Sequence, residues 1–199
     1  MNLYLRLLVA VIRGLLRPKA PVSHVAESRF RVMLHDIDVF GHMNNGRYLQ
    51  IMDVARAEWM ARAGVLGAMW RNRWSAMLGG TTVRFRRSLS PFQRYIVRTR
   101  LLCYDSEWFY LEHTVATSTN NTIAVGVSRA ALRGGGVWLS TEKVMSQVEP
   151  NVVSAPMPDY VKTLFQAELH MLEASRQPCR NLGCRPGSGE RAPSVATRG

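Results

Sequence analysis

His35-Asp36-Ile37-Asp38-Val39-Phe40-Gly41-His42-Met43-Asn44-Asn45-Gly46-Arg47-Tyr48 packs two Asp, two His, two Asn and two Gly into one short run. An apolar, strand-like segment precedes it, from Phe30 to Leu34, and a helix-like segment follows, from Tyr48 to Ala63. A polar loop that leaves a strand and opens a helix sets carboxylates beside backbone N–H groups that have no intrahelical acceptor. Those groups carry partial positive charge and bind anions. An ester or thioester hydrolase needs both parts, one to activate an attack and one to hold the oxyanion. The same residues also suit an ordinary capped loop, with Asn44 or Asn45 as the N-cap.

The segment Asp38-x-x-Gly41-His42-Met43-Asn44-Asn45-x-x-Tyr48 resembles the signature of hot-dog-fold acyl-CoA thioesterases of the 4-hydroxybenzoyl-CoA thioesterase type. More narrowly, His42 to Asn45, Arg47-Tyr48-Leu49, Ala55-Arg56 and Gly64 to Ala68 are similar to the group formed by thioesterase superfamily member six and its bacterial relatives. The similarity runs from about Phe30 to Pro150. It implies hydrolysis of a thioester to free acid and thiol, on coenzyme A or acyl carrier protein, without cofactor or metal. Asp38 takes the place of the catalytic carboxylate, as nucleophile or as general base for water. The Asn45 N–H, with that of Gly46, takes the place of the oxyanion hole. Gly41 lets the backbone turn or the substrate approach. His42 matches the motif and would orient Asp38 or Asn45, bond the substrate, or serve structure alone. Asn44 and Tyr48 complete the expected substrate contacts.

Around this loop the chain reads as α+β. Arg29 to Leu34 is a first strand. Asn45 to Ala63 is a long helix whose apolar face carries Tyr48, Ile51, Met52, Ala55 and Trp59. A short helix is expected around Leu66 to Arg71. Four strand-like runs follow: Ala76 to Arg87, Tyr95 to Tyr104, Trp108 to Ser118 and Thr122 to Arg133. Pro91, Asp105-Ser106 and Asn120-Asn121 mark turns. This order predicts an antiparallel sheet of five or more strands on one long helix, and the resemblance implies a hot-dog fold with the sheet wrapped around it. The hot-dog domain is read as 24–150, a C-terminal helix as 151–176 with Tyr160, Leu164, Leu169 and Leu172 as its stripe, and a basic, disordered tail as 177–199. A lone hot-dog unit leaves its site half built, so the resemblance implies a homodimer or tetramer.

Residues 1–20 predict an amphipathic helix. Arg6, Arg13 and Arg17 fall within a sector of about 40° and the other directions are apolar. The apolar run is too short to span a bilayer. Two placements are open: in an anionic membrane interface with the arginines at the headgroups, or packed on its own domain or a partner subunit. With formal charge +12, anionic partners are expected, namely phospholipid or the phosphates of coenzyme A. Arg84, Arg86 and Arg87 are candidates for the phosphates, or a solvated strand face. Nucleic acid is not expected, because the charge concentrates at the ends without an aromatic platform.

The resemblance also offers a helix Glu as base, as in some hot-dog members, for which Glu58 is the available acid with Asp53 one turn earlier; both are read instead as solvated or paired with Arg56 and Arg62. His35 and His42 lack the spacing of a metal pair on a helix. Cys103, Cys179 and Cys184 form no disulfide framework and read as reduced thiols of a cytoplasmic protein, peripheral at the inner membrane surface through residues 2–17. There is no G-x-S-x-G elbow and no phosphate-binding glycine loop; Gly134-Gly135-Gly136 is a turn. The alternative on the same fold is a non-catalytic acyl-binding or scaffold protein at a membrane surface.

Overall fold

A computed structural model describes residues 3–176. In chain order the elements are α1 (Leu3–Leu16), β1 (Ala26–Arg31), a single 3-10 turn (Leu34–Asp36), α2 (Asn45–Arg62), α3 (Val65–Asn72), β2 (Ser75–Phe85), β3 (Arg94–Tyr104), β4 (Phe109–Thr117), β5 (Thr122–Gly134), β6 (Val137–Trp138), α4 (Thr141–Val148) and α5 (Asp159–Arg176). All strand pairs are antiparallel, in the order β1-β3-β4-β5-β2, with β6 returning on β5. Residues to Met157 form one compact unit; a second, from Pro158, contains α5. The tail read as 177–199, with Cys179 and Cys184, lies outside the described residues.

The sheet closes on α2 because α2 offers it the expected apolar face. Tyr48, Ile51, Met52, Ala55 and Trp59 are all buried. The first four meet Val97, Val115, Ile123 and Ala124 of the strands. Trp59 meets Phe109, Leu111 and Leu132 in a second cluster. Full burial of a large apolar side chain contributes about 1.5–3 kcal/mol, so this face is a main source of stability. Val54, Glu58 and Ala61 form a second buried stripe on α2, at helical spacing.

That second stripe faces α1. The buried residues of α1 are Arg6, Ala10 and Gly14, small where the backbones come closest. A Cβ on Gly14 would stand 2.7 Å from both the Ala61 Cβ and the Glu58 carbonyl oxygen. The arginine sector therefore turns inward. Arg6 pairs with Asp36, and Arg17 and Arg13 reach Glu58 at 3.2 and 3.9 Å. Of the two placements left open for this helix, the structure shows packing on its own domain, with the arginines directed at Asp36 and Glu58. One expectation is corrected here: Glu58 is not solvated or paired with Arg56 or Arg62. Glu58 is buried, accepts a hydrogen bond from Ser28 Oγ at 2.7 Å, and takes its charge partners from Arg13 of α1 and from Arg17 just after it. A buried carboxylate needs such partners, whereas an exposed one does not. Asp53 does pair with Arg56, one turn away on α2.

Three further differences are local. β1 lies three residues earlier than the apolar run suggests, because the sheet is served by the alternation of Ala26, Ser28 and Phe30 rather than by Val32 to Leu34. The helix α4 went unread; Ser140 caps it by accepting from the Lys143 N–H. α5 begins at Asp159, eight residues after the start of the segment read as the C-terminal helix, and Tyr160, Leu169 and Leu172 of its expected stripe are exposed.

His113 of β4 is fully buried under α2. Its Nδ1 lies 3.0 Å from Thr99 Oγ1, and its Nε2 has no hydrogen-bond partner among the described residues. Burial, with a smaller contribution from the Arg56 charge, pushes its pKa down to about 3 from an ordinary 6.5. The unfolded chain therefore binds this proton at higher pH than the folded one. Stability is complete above about pH 6.5 and falls as the pH drops toward 3, by at most about 1.4 kcal/mol per pH unit from this group. Urea unfolding at stepped pH should show that slope in the native protein, and His113→Gln should flatten it.

Candidate active site

The loop between β1 and α2 is held from three sides. Ile37 and Met43 form an isolated antiparallel bridge. Asp38 N–H donates to the His42 carbonyl at 2.9 Å, and Gly41 N–H donates to the Asp38 carbonyl at 3.1 Å. Gly41 sits at φ 77°, in the left-handed region that favours glycine, so the turn depends on it. Met43 N–H donates to the Leu89 carbonyl, and the Tyr48 hydroxyl accepts from Leu89 N–H at 3.1 Å. Tyr48 thus fastens the start of α2 to the connection after β2. Burial raises its phenol pKa, partly offset by that hydrogen bond.

Asp36 is the anchor of the loop. Its carboxylate is fully buried and takes both Arg6 guanidinium nitrogens, Nη2 at 2.6 Å and Nη1 at 3.1 Å. It also accepts the Met33 N–H at 2.9 Å, and its carbonyl accepts the Asn44 N–H at 2.8 Å. Arg47 Nε and His35 Nε2 stand 3.8 and 3.4 Å from the same carboxylate. Asp36 therefore spends its charge on holding the loop to α1, which leaves Asp38 as the carboxylate facing outward. Asp38 is part-buried. Its Oδ1 accepts the Phe40 N–H at 2.9 Å, and Oδ2 has no partner among the described residues.

α2 opens at Asn45 with Asn44 as N-cap, whose Oδ1 accepts the Gly46 N–H at 2.8 Å. The capping alternative therefore holds for Asn44, and it occupies the Gly46 donor. The Asn45 N–H finds no acceptor among the described residues. It stands at the positive end of an 18-residue helix. Beside it is a cavity of about 260 Å³ lined by Met43, Asn45, Tyr48, Phe85, Arg86, Arg87 and Ser88. The fold thus brings Asn45, Tyr48, Arg86 and Arg87 together from sites forty residues apart. Arg84 is not among the lining residues; strand alternation turns it to the face opposite Phe85. His42 is exposed, and its ring bonds no described residue. A second hollow, about 360 Å³, runs between α2 and β2 past Leu49, Met52, Asp53, Leu78, Gly80 and Ser128. Among the described residues no three His, Cys, Asp or Glu side chains converge as metal ligands. Cys103 is buried in β3, and burial raises its thiol pKa to about 11.

The model of the thioesterase-like superfamily matches residues 32–164, two thirds of the chain. The chain belongs to this superfamily. It is 38% identical over 126 residues to the protein called THEM6 of Xenopus laevis, covering 63% of this chain and 59% of that one. It therefore spans less than two thirds of that relative. Among solved structures it resembles YbaW, a probable thioesterase of Escherichia coli, with TM-score 0.59 and 16% identity over 64% of this chain and 99% of that one. It also resembles the 1,4-dihydroxy-2-naphthoyl-CoA thioesterase Slr0204 of Synechocystis, with TM-score 0.51 and 14% identity over 70% and 94%. At these identities the two structures establish the hot-dog fold.

Sequence reasoning missed Met43, Phe85 and Ser88 as cavity walls and Arg6 as a determinant of the loop. Phe85 and Ser88 flank Arg86 and Arg87, which line the same cavity, so adjacency was a usable signal. Nothing in the spacing of residues 6 and 36 marks them as partners.

Removing one member of a buried pair leaves an uncompensated charge, at a cost of about 3–5 kcal/mol. Arg6→Met and Asp36→Leu should each lose about that much stability in urea. The double variant Arg6→Met/Asp36→Leu should lose clearly less than the two single losses combined, and strict additivity would mean the pair does not couple.

Proposed function

We propose that the chain is a thioesterase that hydrolyses acyl-CoA thioesters to a free acid and a thiol. The single observation behind this reading is the open Asn45 N–H at the start of α2, beside a cavity that carries Arg86 and Arg87. In this reading the thioester carbonyl oxygen accepts the Asn45 amide, whose hydrogen bond strengthens as the oxygen gains charge. One such donor is worth roughly 3 kcal/mol in the transition state. Arg86 and Arg87 hold the phosphates of coenzyme A. The acyl chain follows the apolar hollow between α2 and β2.

Asp38 supplies the carboxylate. As nucleophile it adds to the carbonyl carbon, expels the thiolate and leaves a mixed anhydride for water to cleave. As general base it takes a proton from water as the water adds. In this reading His42, exposed in the same loop, contacts the substrate. The geometry favours coenzyme A over acyl carrier protein only through the two arginines at the cavity.

The working unit in this reading is at least a dimer. β2 is an edge strand of 11 residues, and Met77, Leu78 and Phe85 on it are exposed together with Leu49 of α2. A long apolar edge of this kind invites pairing with a second chain. A second copy on it would roof the hollow between α2 and β2 and complete the site.

Two measurements test this. A panel of acyl-CoA thioesters with a thiol-trapping dye should reveal turnover that Asp38→Asn lowers at least about 100-fold; near-native turnover in that variant removes Asp38 from its role. Sedimentation should show a dimer or tetramer that Leu78→Lys dissociates, with loss of hydrolysis. A monomer with full activity overturns the assembly.

A further inference from the structure

Three hollows follow α2 from its start toward its end. The first, at Asn45 and Tyr48, carries Arg86 and Arg87. The second lies past Leu49, Met52 and Asp53. The third is a cavity of about 50 Å³ at Arg56, Trp59 and Met60. These α2 residues succeed one another at three- and four-residue steps, which sets them along one side of the helix. The opposite walls advance in the same direction. β2 gives Phe85, then Thr81 and Leu78, then Ala76. β5 gives Ser128 to the second hollow and Ala130 and Leu132 to the third. The hollows are therefore consecutive along one track, and the track begins at the open Asn45 N–H.

The chemistry changes along the track. The first hollow is cationic, whereas Arg56 is the one charged residue lining the third. The guanidinium of Arg56 is paired with the carboxylate of Asp53, which is exposed, so the methylene stem of Arg56 is what borders the cavity. Val65 of α3 and Val144 and Met145 of α4 complete its walls. A buried water needs two to four polar partners, and these walls do not supply them. The cavity therefore suits an apolar group. Its volume gives room for about three or four water-sized groups, which admits the end of a methylene chain and excludes an aromatic ring. Left empty, it deprives the surrounding side chains of contacts that a close-packed core would provide.

We infer that the acyl group taken by this chain is a long, unbranched aliphatic one, whose far end enters the cavity at Trp59. The inference rests on the thioesterase reading of the Asn45 amide and adds the substrate class to it. Length follows from the helix. α2 advances about 17 Å from Asn45 to Arg56 and about 23 Å from Asn45 to Met60. An extended hydrocarbon advances roughly 1.3 Å per carbon, because its bonds of about 1.5 Å zigzag. A chain held by its carbonyl at Asn45 therefore needs about 13 carbons to reach the cavity and about 17 to fill it. The difference of about four carbons matches the room the cavity offers. An octanoyl chain ends in the hollow between α2 and β2, and a ring on the carbonyl does not reach the third hollow. Each methylene taken from water strengthens binding about fourfold, so the cavity favours the longer chain.

The test uses the full chain with butanoyl-, octanoyl-, dodecanoyl- and hexadecanoyl-CoA, each kept below micelle-forming concentration. The kcat/KM for hexadecanoyl-CoA should exceed that for octanoyl-CoA at least about tenfold. Ala130→Phe, which fills the cavity from β5, should move that ratio toward octanoyl-CoA by at least about tenfold. Should Ala130→Phe disturb folding, Ala130→Leu gives the same reading with a milder change. A second measurement needs no turnover. Hexadecanoic acid brominated at its terminal carbon should quench the fluorescence of Trp59. The acid brominated beside the carboxylate should quench it much less, and Trp59→Phe should remove the difference. Hydrolysis at the same rate for every length, or faster for octanoyl-CoA, overturns the inference and leaves the thioesterase reading standing. Absence of quenching by the terminal bromine overturns the inference whatever the turnover. Quenching without hydrolysis at any length overturns the thioesterase reading instead, and supports the cavity as the place where a chain ends.

Discussion

Two buried carboxylates organise this molecule. Asp36 at the root of the loop and Glu58 in the middle of α2 are both withdrawn from water. A buried carboxylate without a cation is strongly unfavourable. Arg6, Arg13 and Arg17 answer that need, and they can do so together because their spacing sets them on one side of α1. The small residues Ala10 and Gly14 let the helix come close enough for the arginines to reach. α1 is thereby part of the folded unit, and α2 is covered by the sheet on one side and by α1 on the other.

The consequence for the site is direct. The N–H of Asn44, which begins the cap of α2, is held by the carbonyl of Asp36, and the carboxylate of Asp36 is held by Arg6. The position of the first α2 amide is thus fixed by a helix more than thirty residues upstream. An oxyanion donor is useful in proportion to how little it must move during reaction. A loop tied at Asp36, bridged at Ile37 and Met43, and fastened through Tyr48 to Leu89 has the rigidity that role requires. The Asx-type bond from Phe40 to Asp38 uses one carboxylate oxygen and leaves the other without a partner among the described residues.

Much of this could be read from the residues because it rests on local periodicity. The face of α2 from Tyr48 to Trp59 and the four later strands follow from alternation and turn residues, and their bounds fell within about two residues. The loop could be read through its motif. What could not be read was the direction in which α1 faces. A narrow arginine sector on an apolar helix fits headgroups and buried carboxylates equally well, and the choice depends on Asp36 and Glu58 being buried. Their burial is a tertiary fact. Glu58 has Arg62 four residues on, so local pairing looked sufficient. The same limit hid Arg84, which lies within β2 and points away from Phe85, whereas Arg86 and Arg87 lie in the turn just after the strand and line the cavity.

The inward turn of the arginines also fixes what α1 offers the surroundings. A 14-residue helix whose cations are committed to the core can present only its leucines outward. Polar substitution on that face would cost the fold little, since nothing described packs on it. Charges on the inner face cannot be exchanged so freely, because each supports a buried partner. The leucines are therefore not required by packing within the described chain, whereas Arg6, Ala10 and Gly14 are. An apolar surface that the fold does not require has its physical explanation outside the described residues. The Arg6–Asp36 pair then joins that outward surface to the loop by a single rigid step, so that whatever α1 rests on is mechanically close to the first amide of α2.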